Sequence, residues 1–410
     1  MTRPPLLRRL LKGFAILALL GLLSIGALFA FLWAEHRSEV ALPTPTGSFA
    51  VGRAIYDWTD SVAVDTLAPI PGTKRELLVW IWYPAGGHSG VVDDYLPARL
   101  RPKAEPSDGA NIWTFLTRDA SKVRAHSLRD ADVSPERQSY PVVIMRAGAS
   151  APVLNYSSLA EDLSSHGYVV VGFDAPYRTG RVVFPDGRSM RRTEQNNPES
   201  CVVPDRNRME RCVGRVMTAW TGDIAFVLNR LALSNAKDSP GLAGRLDMSR
   251  VGILGHSLGG AVAAQFCHDD SRCKAGIDLD GAPHGSVIQT GLRQPFMFLL
   301  SDHGDVTDST STQILHDIQS IYDRTPADRR TRAVIRGAFH YTFSDDGALM
   351  KSSAVRGLLR LFGKLGMSGR RQLAVTSYAV RTFFDAFLKG SGEARFNLAS
   401  PAYMEIQVLE

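Results

Sequence analysis

The chain has 410 residues, 44% of them hydrophobic and 21% charged, which is ample for a large core and excludes a disordered chain. Its net charge of +6 is carried mostly by scattered arginines, and the densest basic cluster (Arg188, Arg191, Arg192) lies in a polar loop with acids nearby. A nucleic-acid binder would show a basic stripe interleaved with aromatics; none is visible, so nucleic acid is not an expected partner.

At the N-terminus Arg3, Arg8, Arg9 and Lys12 precede an uncharged run over 14–33. Some twenty residues at about 1.5 Å each span about 30 Å, the thickness of a bilayer's hydrocarbon core. Residues 1–34 are therefore expected to be a cytoplasmic tail and an uncleaved membrane anchor. Four cations before the run against Arg37 just after it place the N-terminus inside, and the rest of the chain on the outer (periplasmic or extracellular) face. The alternative is a cleaved signal peptide and a secreted protein. Against it, the run is long and Leu28-Phe29-Ala30 is a poor cleavage site.

Residues 35–46, charged and then Pro-rich, read as a linker, and 47–410 as one catalytic domain. Residues 53–65 and 76–83 alternate as an antiparallel edge pair. The stretch 86–138 is polar and irregular, with a possible helix over 112–125. Then strands and helices alternate. Strands are expected at 141–145, 168–173, 251–254, 275–279, 295–300 and 333–336. Helices are expected at 156–165, 213–233, 260–267, 311–324 and 377–388, with a long loop over 174–211. This rhythm predicts an α/β fold with a mostly parallel central sheet covered by helices on both faces.

The four cysteines fit an exported chain, where an even count reads as disulfides. Three pairings are possible. The local one, Cys201–Cys212 with Cys267–Cys273, closes two short loops and is preferred. Zinc is not expected, because no C-x-x-C is present; free buried cysteines are the plainer reading.

The chemistry centres on Gly255-His256-Ser257-Leu258-Gly259, a G-x-S-x-G at the end of an apolar run and the start of a small-residue helix. That is the setting of a nucleophile elbow, whose sharp turn needs glycine on both sides of the serine. The N–H of Leu258 would face a developing oxyanion. In α/β-hydrolases the acid and then the histidine follow the serine, each after a strand. Asp278, Asp280, Asp302 and Asp305 are the candidate acids. Among the histidines, His340 follows the strand near 333–336 and is the last in the chain. His268 and His316 look helical and exposed, His303 lies close behind its strand, and His256 reads as a packed neighbour of the elbow.

Several segments together resemble one family. They are the elbow, Leu279-Asp280-Gly281, Arg336-Gly337-Ala338-Phe339-His340 with Phe343-Ser344-Asp345, Trp80-Ile81-Trp82-Tyr83-Pro84, and Phe184-Pro185-Asp186-Gly187-Arg188. From about residue 47 to 390 the chain resembles the plasma-type platelet-activating-factor acetylhydrolases and related bacterial, dienelactone-hydrolase-like esterases. The resemblance implies an α/β-hydrolase fold and a serine esterase with nucleophile Ser257, base His340 and acid Asp280. Asp302 and Asp305 stay open as the alternative acid one strand later. One departure stands out, since Arg146-Ala147-Gly148-Ala149 replaces the family's His-Gly-x. Ala149 can still supply the second oxyanion N–H, because that donor is backbone.

The expected substrate is a small-molecule or lipid-like ester with a short acyl group, with no metal or organic cofactor. The alternatives are a lipase, polyesterase or acyltransferase on the same residues, or a catalytically silent envelope binding module.

Overall fold

The computed structural model describes residues 5–87, 90–102, 118–196, 198–201, 206–236, 241–304, 308–350, 357, 361, 366–390 and 396–409. It opens with helix α1 (Pro5–His36). The segment Arg9–Arg37 is long and apolar enough to cross a membrane, with none of its most apolar window buried, as an anchor or a signal sequence would be. The end of α1 is tied to the rest of the chain. Arg118 donates to the carbonyls of Glu35 and Leu349, both at 3.0 Å, and the N–H of Asp119 donates to the carbonyl of His36 at 2.9 Å.

The strands in chain order are β1 (Val40–Ala41), β2 (Ala50–Val64), β3 (Lys74–Ala85), β4 (Val92–Asp94), β5 (Val123–Arg129) and β6 (Tyr140–Arg146). Helix α2 (Ser157–Ser165) leads to β7 (Val169–Asp174), and a small hairpin of β8 (Arg181–Val183) and β9 (Ser189–Arg191) precedes α3 (Arg206–Ala236). Then come β10 (Leu246–His256), α4 (Leu258–Asp269), β11 (Cys273–Leu279), β12 (Phe296–Leu300), α5 (Ser309–Arg324), β13 (Arg330–Ile335), α6 (Gly369–Leu388) and β14 (Ile406–Leu409).

One sheet runs in the order β1-β5-β2-β3-β7-β6-β10-β11-β12-β13-β14, with β4 on β5. From β7 to β13 every pair is parallel, whereas β3 meets β7, and β14 meets β13, antiparallel. The parallel strands are apolar on both faces because both are covered. Along β3, Leu78, Trp80 and Trp82 enter one core while Leu77, Val79 and Ile81 enter the other. The first core is closed by α2 (Leu159, Leu163) and α6 (Val380, Phe383, Phe384). The second is closed by α3 (Trp220, Ile224, Leu228), α4 (Phe266) and α5 (Ile318, Ile321). Each such side chain, fully buried, contributes about 1.5–3 kcal/mol.

After β6 the chain crosses to β7 on one side, and it later returns to place β10 on the other side of β6. That reversal opens a crevice beyond the carboxyl ends of β6 and β10, where ligands bind in open α/β sheets.

Four expectations need correction. The 35–46 linker is not free spacer, because β1 within it pairs in parallel with Val123 and Arg124. The helix expected over 112–125 is, in its described part, a single turn at Ala120–Lys122 followed by strand β5; residues 112–117 lie outside the described residues. The β2–β3 pair is not an edge, since β5 covers β2. The 174–211 loop holds the β8–β9 hairpin, and α3 starts at Arg206. Both disulfides form as paired in the local reading, Cys201–Cys212 and Cys267–Cys273.

Candidate active site

Ser257 stands between β10 and α4 with φ 55° and ψ −126°, a left-handed conformation that a non-glycine residue adopts only under constraint. The constraint is packing. A Cβ on Gly255 would run into the carbonyl of Gly259, and one on Gly259 would lie 2.5 Å from the carbonyls of Arg146 and Ala147. The elbow is also pinned across the sheet by Ser257 N–H donating to the Leu279 carbonyl at 2.9 Å. As the first residue of α4, Leu258 has no intrahelical acceptor for its N–H, which is left at the helix's positive end.

Asp280 follows β11 and also has positive φ, 55°. Its carboxylate accepts four hydrogen bonds. Oδ2 takes His340 Nδ1 at 2.7 Å and Ser301 Oγ at 2.6 Å; Oδ1 takes the Ser301 N–H at 2.9 Å and His303 Nε2 at 2.8 Å. Burial alone would raise the carboxyl's pKa, but the hydrogen bonds and charge of His303 and His340 hold it well below the usual range. With Nδ1–H given to Asp280, His340 keeps an Nε2 lone pair. Ser257 Oγ holds no hydrogen bond among the described residues, and such contacts are often long in an unliganded state.

The His340 loop is held from two sides. Gln372 on α6 accepts from the Phe339 N–H and donates to its carbonyl, both at 2.9 Å. Asp302 accepts from the Gly337 N–H at 2.8 Å and from Arg336 at 3.4 Å. Asp302 is thus a loop-capping carboxylate, away from His340 Nδ1. Asp278 is buried behind the elbow, takes the Gly281 N–H at 2.7 Å, and has no hydrogen bond to a histidine among the described residues. Asp305 lies outside the described residues. His268 bonds Asp269 at 2.7 Å and Thr290 at 2.7 Å at the far end of α4, and His316 is exposed on α5.

On the other side of the serine lies a neutral network. His256 Nε2 faces the His340 carbonyl at 3.0 Å, so it carries the proton; Nδ1 therefore accepts from Tyr156 OH at 2.7 Å. Tyr156 OH in turn accepts from the Gly148 N–H at 3.2 Å. Burial, with His340 nearby, pushes His256 down to about 3, so it is neutral at working pH. This network supports the 147–149 loop, which holds no histidine of its own. Arg146 turns into the core instead, over Phe173 at 4.2 Å and Trp220 at 4.5 Å. Gly148 is packed against Ser257, and Ala149 beyond it is exposed with no backbone hydrogen bond from its N–H among the described residues.

Sequence reasoning missed Tyr156, Ser301 and the place of His303. Proximity to β12 argued against His303 as a base; the same proximity puts it on Asp280. An open cleft of about 460 Å³ is lined by His303, Phe339, His340 and Gly366. A larger hollow of about 700 Å³, beside the Cys267–Cys273 disulfide, includes none of Ser257, Asp280 and His340.

Residues 221–385, which include the elbow, Asp280 and His340, match the family model "Platelet-activating factor acetylhydrolase, isoform II". The chain is also 26% identical over 399 residues to a probable 1-alkyl-2-acetylglycerophosphocholine esterase of Arthroderma benhamiae, covering 91% of this chain and 95% of that one. The chain is a carboxylic-ester hydrolase. It is similar to the platelet-activating factor acetylhydrolase of Cavia porcellus, at 26% identity over 226 residues, 51% of this chain and 49% of the relative. Among solved structures, a ferulic acid esterase from Streptomyces cinnamoneus superposes with a TM-score of 0.72 at 25% identity, covering 91% of this chain and all of that one. The resemblance read from the sequence and the α/β-hydrolase fold both hold.

Proposed function

We propose that this esterase works through Ser257 as nucleophile, His340 as general base and Asp280 as the acid that orients it. The observation that carries the reading is the 2.7 Å bond from His340 Nδ1 to Asp280, beside a serine on a glycine-flanked elbow. His340 Nε2 takes the Ser257 proton, and the serine oxygen attacks the ester carbonyl. The N–H groups of Leu258 and Ala149 stabilise the tetrahedral oxyanion. The alcohol leaves with the proton from His340, and water, deprotonated by the same imidazole, releases the acid.

The substrate reading is a short-acyl, lipid-like ester. The names of the relatives support it, since they include an acetylglycerophosphocholine esterase and a platelet-activating factor acetylhydrolase. A second reading, an aromatic acyl ester, is favoured by the coverage of the ferulic acid esterase. The catalytic unit is 47–410, and α1 holds it as a single-pass anchor on the outer face of the cytoplasmic membrane. The test is hydrolysis by the full chain in detergent of p-nitrophenyl esters from acetyl to palmitoyl, beside a feruloyl ester and an acetylated phospholipid. The short-acyl reading expects a maximum at acetyl to butyryl. A peak at eight carbons or longer, or at the feruloyl ester, overturns it.

A further inference from the structure

We infer that His303 is a positioning residue of the acid, one that splits the enzyme's response to low pH into two coupled steps. The inference rests on the reading of His340 as base. Asp280 has one outer oxygen for each histidine, His340 Nδ1 at 2.7 Å on Oδ2 and His303 Nε2 at 2.8 Å on Oδ1. Ser301 joins the two by bonding both oxygens and lying 3.3 Å from His303 Nε2. The carboxylate is sealed, with 1% of its side chain exposed, whereas 45% of His303 is open to solvent. A proton can therefore be taken up beside Asp280 at His303, the more open of its two histidine partners.

Among the described residues, the charged groups facing His303 are few. Asp280 faces it from the β11 loop and His340 from the loop after β13. On its own loop lies Asp302, whose charge is partly met by Arg336 at 3.4 Å. The hydrogen bond to Asp280 raises the pKa of His303 above that of a free histidine. Once His303 is protonated, two imidazoles compete for one carboxylate. The cation draws on the carboxylate that holds His340 Nδ1, and a second proton taken up by the pair meets the charge of the first. The two protons then come off in steps that belong to the pair. A carboxylate with a single histidine would show one step.

The experiment is the pH dependence of kcat/KM for p-nitrophenyl acetate, with the full chain in detergent, for wild type and His303→Gln. Glutamine keeps a donor towards Asp280 but does not titrate. Wild type is expected to lose activity in two steps as the pH falls. His303→Gln is expected to fall in one step. The lower wild-type midpoint should lie below the variant's, because the second proton meets the charge of the first. Superimposable profiles overturn the inference. So does a uniform loss at every pH with unchanged midpoints, which would make His303 a structural contact. If His303→Gln does not fold, His303→Asn, which does not titrate but is too short to reach Asp280, still tests one step against two. Failure of the parent reading is distinct, because Ser257→Ala or His340→Ala would then retain esterase activity.

Discussion

The two flanks of Ser257 are built from opposite materials. On one, Gly148, Tyr156 and His256 form a chain of neutral hydrogen bonds in which each donor has one acceptor, and burial keeps His256 uncharged. On the other, Asp280 gathers His340, His303 and Ser301 around a charge, with both histidines partly open to solvent. The neutral flank fixes where backbone N–H groups point, which a proton must not disturb. The charged flank holds His340, the proposed base, through its Nδ1. Geometry and proton affinity are thereby kept in separate side chains, meeting at the His340 carbonyl and ring.

Breaking the charged flank should cost the most. Asp280→Asn removes the tautomer lock on His340, and kcat should fall by about 10⁴ with the protein still folded by circular dichroism. A loss under tenfold would move the acid elsewhere. Breaking the neutral flank should cost less. Tyr156→Phe strands the Gly148 N–H and His256 Nδ1, and kcat/KM should drop by about 10- to 100-fold through a displaced donor loop. The shape of its pH profile should not change, and a shifted midpoint would show that the two flanks are not separate.

The neutral flank also makes a stability prediction. His256 has its pKa depressed in the fold, to about 3, from an unfolded value near 6.5. Its contribution is therefore complete above about pH 6.5 and is lost as pH falls towards 3, because only the unfolded chain takes the proton. The loss is about 1.4 kcal/mol per pH unit. Between pH 7.5 and 5 the Tm of His256→Gln should fall less than that of wild type, as read by calorimetry. An equal fall in both would mean that His256 is not kept neutral by burial. The smallest effect is expected at Asp302→Asn, which loosens one loop contact and should lower kcat/KM less than tenfold.

The charged flank was the more legible in sequence. Gly255 and Gly259 announce an elbow because no other residue fits against the carbonyls of Arg146, Ala147 and Gly259. The order of Ser257, Asp280 and His340 follows from strands whose apolar runs are continuous and easily read. Tyr156 was not legible, since its partner His256 lies 100 residues away and neither departs from local pattern. His303 was visible as a residue but not as a partner, because a position just after β12 says nothing of which way the ring turns. In the fold, β1, β5 and β14 escaped notice for a related reason. They are short or partly polar, and their pairing is decided by distant neighbours rather than by their own periodicity.

Covalent labelling of the nucleophile is the most direct test of the proposed triad. The full chain in detergent should be treated with a fluorophosphonate, digested, and the modified peptide sequenced by mass spectrometry, for wild type and Asp280→Asn. A single adduct is expected on Ser257, forming at least about 100-fold more slowly in the variant, whose proposed base is no longer held. An adduct on another residue, or equal labelling rates in the two proteins, would contradict it.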